Sequence, residues 1–261
     1  MRLALLVAGT TLPLILFAAG IVYNNYEQDR RDATQRVGET VRSIRLVLDS
    51  EMQRMTGGLQ VLALTNSLRG GDFDSFRRIA AGFLDQYGKE GVVLVADREG
   101  RQVFSSVTSD TASLPPRNNR AIVDKVFADR KPVYSNLFTG AVKQRLIVTV
   151  EVPVIRDGDV IYDISFSPPI EIFQAIIEQQ RPSKDWTISI FDGDGINFAR
   201  VPNPQETIGK RASPLLYDAV FRSAEATLPT VSLEGVPLIT SFAPSRSPAG
   251  RLPPASRKAR W

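Results

Sequence analysis

The 261-residue chain contains no cysteine and no histidine. Without cysteine, neither a disulfide nor a thiolate metal site can hold the fold. Without histidine there is no Ser-His-Asp triad, no imidazole acid-base chemistry and no phospho-accepting histidine, and most zinc sites are excluded. No glycine-rich loop follows a strand and opens a helix, so no nucleotide site is expected. The acids show no catalytic spacing. Asp192-Gly193-Asp194-Gly195 looks like part of a calcium loop, but an EF-hand loop needs glycine sixth and an acid twelfth. Here glycine comes fourth and Asn203 twelfth, so a tight turn is expected. No catalytic residue, metal site or cofactor is therefore assigned. A basic face is missing too. The net charge is +4, but Arg246, Arg251, Arg257, Lys258 and Arg260 fall in the acid-free stretch Pro244–Trp261. The rest of the chain is slightly acidic, so nucleic acid is not an expected partner.

What is present is a folding composition, 43% hydrophobic and 23% charged, of a length for one or two domains. Leu3–Tyr23 carries no charge and as a helix is long enough to cross a bilayer. It reads as a signal anchor. Cleavage after Ala18-Ala19-Gly20 would instead release a secreted protein. Beyond it, Val37, Val41, Ile44, Leu48, Met52, Met55, Leu59 and Leu62 recur at steps of three and four, the seam of a long helix. The seam can pack on the chain's own sheets or pair with a second copy as a homodimer. Gly57-Gly58 predicts a bend or soft point there.

Two stretches match: VLVADREGRQVF (Val93–Phe104) and ISIFDGDGINFA (Ile188–Ala199). Each is an apolar strand, a polar turn ending in glycine, and a second strand, which reads as a β-hairpin. After the first copy come a proline-ended loop, a helix over Asn118–Asp129 and strands over 133–137, 145–155 and 160–166. In RLIVTVEVPVI, Leu146, Val148, Val150 and Val152 share one face, with Ile147, Thr149 and Glu151 on the other. Five antiparallel strands with helices on one face make a PAS-like α+β module. After the second copy come a loop, a helix over 213–223 and one more hairpin. The pattern then stops, and the proline-rich basic tail does not read as part of the fold. A departure of the reading frame near Arg246 would explain it. The expected organisation is an anchor at 1–23, a long helix at 24–66, a distal module at 67–168, a proximal and incomplete module at 169–245, and an irregular tail at 246–261.

GVVLVADREGRQVFSS, KPVYSNLFTG with LIVTVEVPV, VIYDIS and TISIFDGDGINFAR, set in this architecture, resemble the double Cache sensors of bacterial membrane receptors. The resemblance covers about Tyr23 to Arg246. It implies a single-pass inner-membrane protein with its bulk in the periplasm, sensing a small molecule in the distal module. Sensor histidine kinases are the most similar receptors. A chemoreceptor, a diguanylate cyclase sensor region or a secreted binding protein are the alternatives, and an extracytoplasmic enzyme is a more distant one. Tyr134 matches the family's aromatic ahead of the third strand, and Asp163 the carboxylate that holds a ligand amine. The family's Arg-x-Trp pair for a ligand carboxylate is absent. PPRNNRAIV offers Arg117 and Arg120 instead. The implied ligand contacts are Arg117, Arg120, Tyr134, Arg145 and Asp163. For Asp163 the alternative is a structural pair with Arg145 across neighbouring strands. Arg120 can equally be a solvated helix residue, and Tyr134 a packed core residue.

Overall fold

A computed structural model describes residues 2–88, 90–223, 225–232, 235–244 and 255–258, with 2–16, 29, 30, 33, 221 and 255–258 described by backbone alone. One helix, α1 (Arg2–Ala63), forms the spine. All eight seam residues, Val37 to Leu62, are buried in the chain's own core. From Val37 to Leu62 the seam therefore packs on the chain's own sheets. Gly57 and Gly58 do not interrupt α1. A Cβ at Gly58 would lie 2.6 Å from the Phe83 ring, so this glycine lets another helix approach closely.

Two short helices follow, α2 (Asn66–Gly70) and α3 (Phe73–Leu84). Asp72 caps α3 by accepting from the Ser75 amide at 3.1 Å. Then come β1 (Val92–Ala96), β2 (Gln102–Ser105), α4 (Arg120–Asp129), β3 (Val133–Tyr134), β4 (Phe138–Thr139), β5 (Leu146–Ile147), β6 (Val150–Arg156) and β7 (Asp159–Ser167). The strand expected over 145–155 is split. Leu146–Ile147 pairs with β4, and the main sheet resumes only at Val150. The first sheet has the order β2-β1-β7-β6-β3 and is antiparallel throughout. Val150, Val152, Ile164 and Phe166 face α1 and α3 in the core. The intervening residues of β6 and β7 face the other way, because side chains alternate along a strand.

The second half contains α5 (Ile170–Gln179), β8 (Trp186–Phe191), β9 (Asn197–Val201), α6 (Pro204–Thr207), α7 (Pro214–Arg222), β10 (Ala226–Val231), β11 (Pro237–Phe242) and β12 (Ala255–Lys258). Its sheet runs β10-β11-β12-β8-β9. Read from β9, this is the order of the first sheet. Here the structure corrects the sequence reading. The second sheet is not incomplete, and the tail is not irregular throughout. Residues 255–258 pair antiparallel with both β11 and β8. The physical reason is the slot itself: without β12, two inner strands would present unpaired edges. Backbone pairing, not side-chain propensity, recruits the segment.

Most of the apolar run Leu3–Tyr23 lies where side chains are not described, so the anchor falls largely outside the described residues. Among the described residues, no helix is long and apolar enough to cross a membrane.

Candidate functional site

The first sheet turns its polar face toward the segment that crosses from β2 to α4. That segment is pinned by the hairpin at the sheet's start. Gly100, at φ +78°, closes the β1–β2 turn, and its carbonyl accepts from the Arg117 amide at 2.9 Å. Gln102 Nε2 donates to the Pro115 carbonyl at 2.6 Å. The Arg117 side chain is thereby directed over β6 and β7. The second hairpin repeats the contact, with the Ala212 amide donating to the Gly195 carbonyl at 2.9 Å. There the residue is alanine, so the equivalent position brings no charge.

Arg117 is almost wholly buried, and Glu151 and Asp163 are fully so. Arg117 Nη2 donates to Glu151 Oε1 at 2.6 Å, and Nη1 to Ser165 Oγ at 2.8 Å. Nη1 is 3.9 Å from Asp163 Oδ2, an ion pair without a hydrogen bond. Thr149 Oγ1 also donates to Glu151 Oε1, at 2.6 Å. Both oxygens of Asp163, and Glu151 Oε2, are buried and accept from no donor of another residue type, but the Asp163 carboxyl, when protonated, hydrogen-bonds to Glu151. Two carboxylates thus share one guanidinium. Burial, and then the neighbouring Glu151 charge, push the Asp163 carboxyl well above its ordinary range, and Arg117 only partly offsets them. Burial pulls Arg117 down, but the charges of Glu151 and Asp163 and the Glu151 hydrogen bond outweigh it, so its pKa is raised.

A cavity of ≈ 650 Å³ lies between α4 and the β3–β4 segment, lined by Asn118, Ile122, Tyr134, Ser135, Leu137 and Phe138 among others; Arg117, Glu151 and Asp163 do not line it. Ser135 joins cavity and cluster. Its Oγ accepts from the Thr149 amide at 2.8 Å, and Thr149 in turn holds Glu151. Tyr134 is half-buried, and its hydroxyl is 2.6 Å from Thr56 Oγ1 on α1. One residue past Ser135, Asn136 Nδ2 donates to Asp194 at 2.6 Å, and Asn136 Oδ1 accepts from the Gly193 amide at 3.0 Å. The Leu137 amide donates to Asp192 Oδ2 at 2.8 Å. The wall of the cavity is therefore tied both to α1 and to the β8–β9 turn. Asp192 Oδ1 accepts from the amides of Asp194 and Ile196, each at 2.9 Å, a side chain folded into its own turn.

Of the five residues singled out in the sequence, the structure brings Arg117 and Asp163 together and puts Tyr134 in the cavity wall. Arg120 points elsewhere: it pairs with Asp124 at 2.9 Å and donates to the Arg98 carbonyl. Arg145 does not pair with Asp163. It binds Glu90 at 2.8 Å, on the far side of the split strand. Glu151, Ser165 and Thr149 were not anticipated as site residues. The visible signal was a lone acid in a valine-rich strand, on the face opposite the core.

No family model matches the chain, and no curated protein matches it significantly. Solved structures do. The periplasmic sensory domain of the Campylobacter jejuni chemoreceptor Tlp1 aligns over 88% of this chain and 95% of its own, with a TM-score of 0.68 at 10% identity. The ligand-binding domain of the Pseudomonas fluorescens chemoreceptor CtaA, in complex with L-isoleucine, aligns over 90% and 96%, with a TM-score of 0.64 at 9% identity. The extracellular domain of rpHK1S-Z16, a chain assigned as a histidine kinase, aligns over 92% and 97%, with a TM-score of 0.57 at 16% identity. The chain shares its fold with these extracytoplasmic sensor domains.

Proposed function

We propose that this chain is the ligand-sensing extracytoplasmic domain of a membrane-bound signalling receptor, with its ligand held between the first sheet and α4. One observation carries the reading: a cavity between α4 and the β3–β4 segment is linked through Ser135 and Thr149 to a buried charge cluster on the first sheet. Buried charges are costly unless paired, so a sheet that keeps two acids on one guanidinium is shaped for something other than its own stability. The kinship of fold with sensor domains points the same way. Residues 67–168 form the ligand-binding module, and those from 169 onward the module nearer the membrane. Leu3–Tyr23 is the anchor, which puts the bulk in the periplasm. The likeness to the extracellular domain of rpHK1S-Z16 supports reading the receptor as a sensor histidine kinase. With no histidine here, phosphotransfer would belong to another segment.

Ligand entry would act on the short segment Tyr134–Leu137. That segment touches the cavity, α1 through Thr56, and the second sheet through Asn136 and Leu137. A ligand that binds one arrangement a few kcal/mol better than another would shift the population. The test is a thermal-shift screen of the full chain in detergent against amines, amino acids, organic acids and purines. At least one compound is expected to raise the melting midpoint. If none does, the sensing role is rejected.

A further inference from the structure

We infer that the second sheet carries a binding site of its own, for an organic carboxylate of about acetate size seated on Arg200. The site is separate from the cavity of the first sheet. Ile188, Ile190, Ala199 and Val201 point into the core, so Thr187, Ser189 and Arg200 face the other way. Ser189 and Arg200 are cross-strand partners, and Arg200 is only 7% exposed. Between this face and the start of α7 is a cavity of ≈ 30 Å³, lined by Thr187, Ser189, Arg200, Ser213, Thr230 and Thr240 among others. One water needs about 10–15 Å³ of such space, so the cavity takes a ligand of a few heavy atoms and no more. Its charge reverses that of the first sheet. There the crossover supplies the cation and the sheet the acids. Here the sheet supplies the cation, the equivalent crossover position is Ala212, and among the described residues no acid lines the cavity. The lining is rich in donors. A guanidinium presents a fixed N–H fork that matches a carboxylate. Thr230 Oγ1 and Thr240 Oγ1 are 2.5 Å apart, a bond that spends one of their two hydroxyl protons and leaves the other to donate. Ser213, the N-cap of α7, makes no side-chain cap, and a helix N-terminus favours negative charge. Leu216 and Leu238 complete the wall and suit a short alkyl group. Arg200 is not without a partner in the chain, so the carboxylate would compete for the guanidinium rather than meet an idle charge.

The experiment titrates sodium formate, acetate, propionate and benzoate into the full chain in detergent, by calorimetry at matched ionic strength. Sodium chloride and sodium sulfate serve as the other arms. Acetate is expected to bind, with benzoate, too large for the cavity, at least tenfold weaker. Arg200→Gln removes the charge, and Ala212→Leu fills the cavity while the guanidinium stays. Each should weaken acetate at least tenfold. Asp163→Asn changes only the first sheet and should leave acetate binding within twofold of wild type. Circular dichroism confirms folding. Either Arg200→Gln or Ala212→Leu suffices if the other does not fold, and Thr240→Val replaces both if neither does. No binding by any carboxylate would overturn the proposal. So would benzoate, chloride or sulfate binding as tightly as acetate, or acetate unaffected in the folded variants. Acetate lost in Asp163→Asn but kept in Arg200→Gln would put the anion in the first sheet, which overturns the second site and leaves the sensing role standing.

Discussion

Asp163 is a carboxylate on an inner strand with both oxygens buried. Its raised pKa means that the folded chain holds this proton to higher pH than the unfolded chain does. Between the ordinary carboxylate range and the raised value, the folded state binds more protons, so this group's contribution to stability falls as pH rises. Asp163→Asn removes the charge and keeps the shape. We expect the variant to melt above the wild type at about pH 8, with the gap closing toward about pH 4. Melting curves across that range check it, and a gap that widens on acidification would contradict it. At this scale the sequence was partly legible. Arg117 and Asp163 stood out by resemblance to a known family. Glu151 did not, because strand alternation tells which face a side chain takes but not what covers that face. The burial of Glu151 depends on a crossover held down by Gly100 and Gln102, residues far from it in sequence.

Elements with their own period were the most legible. The seam of α1 repeats at helical spacing, and every member of it is buried. The Gly57-Gly58 pair misled for a physical reason: propensity marks glycine as a weak point, whereas packing can require it. The two glycines should therefore separate on mutation. Nothing lies within 4 Å of a Cβ at Gly57, so Gly57→Ala should stabilise by about 0.5–1 kcal/mol. At Gly58 the new Cβ meets Phe83, whose ring is held between Tyr87 and Phe166 at centroid distances of 5.1 and 5.0 Å. Overpacking there should outweigh the propensity gain and destabilise by about 1–2 kcal/mol. Urea denaturation of the two variants measures both, and equal effects would contradict this packing account. The strand expected over 145–155 was read too long because its alternation is continuous. The chain leaves the ladder at Val148–Thr149, where the Thr149 amide turns to the Ser135 side chain.

On the scale of the molecule, the repeat of hairpins correctly announced two similar sheets, while the last strand was invisible. ASRK has neither apolar alternation nor β-branched residues, and only the gap between β8 and β11 gives it a place. Removing residues 245–261 should open both edges and speed amide exchange in β8 and β11 about tenfold or more, about 1.4 kcal/mol of local stability per tenfold. The first sheet should be protected as before. Unchanged exchange in β8 and β11 would mean that β12 contributes nothing to the sheet. The central claim is that the first sheet holds a ligand at Asp163. The most direct measurement is the thermal shift of wild type and Asp163→Asn, side by side, across the compound panel. The account predicts a compound that raises the wild-type midpoint and leaves the variant unmoved. A shift that persists unchanged in the variant, or no shift in the wild type with any compound, would contradict it.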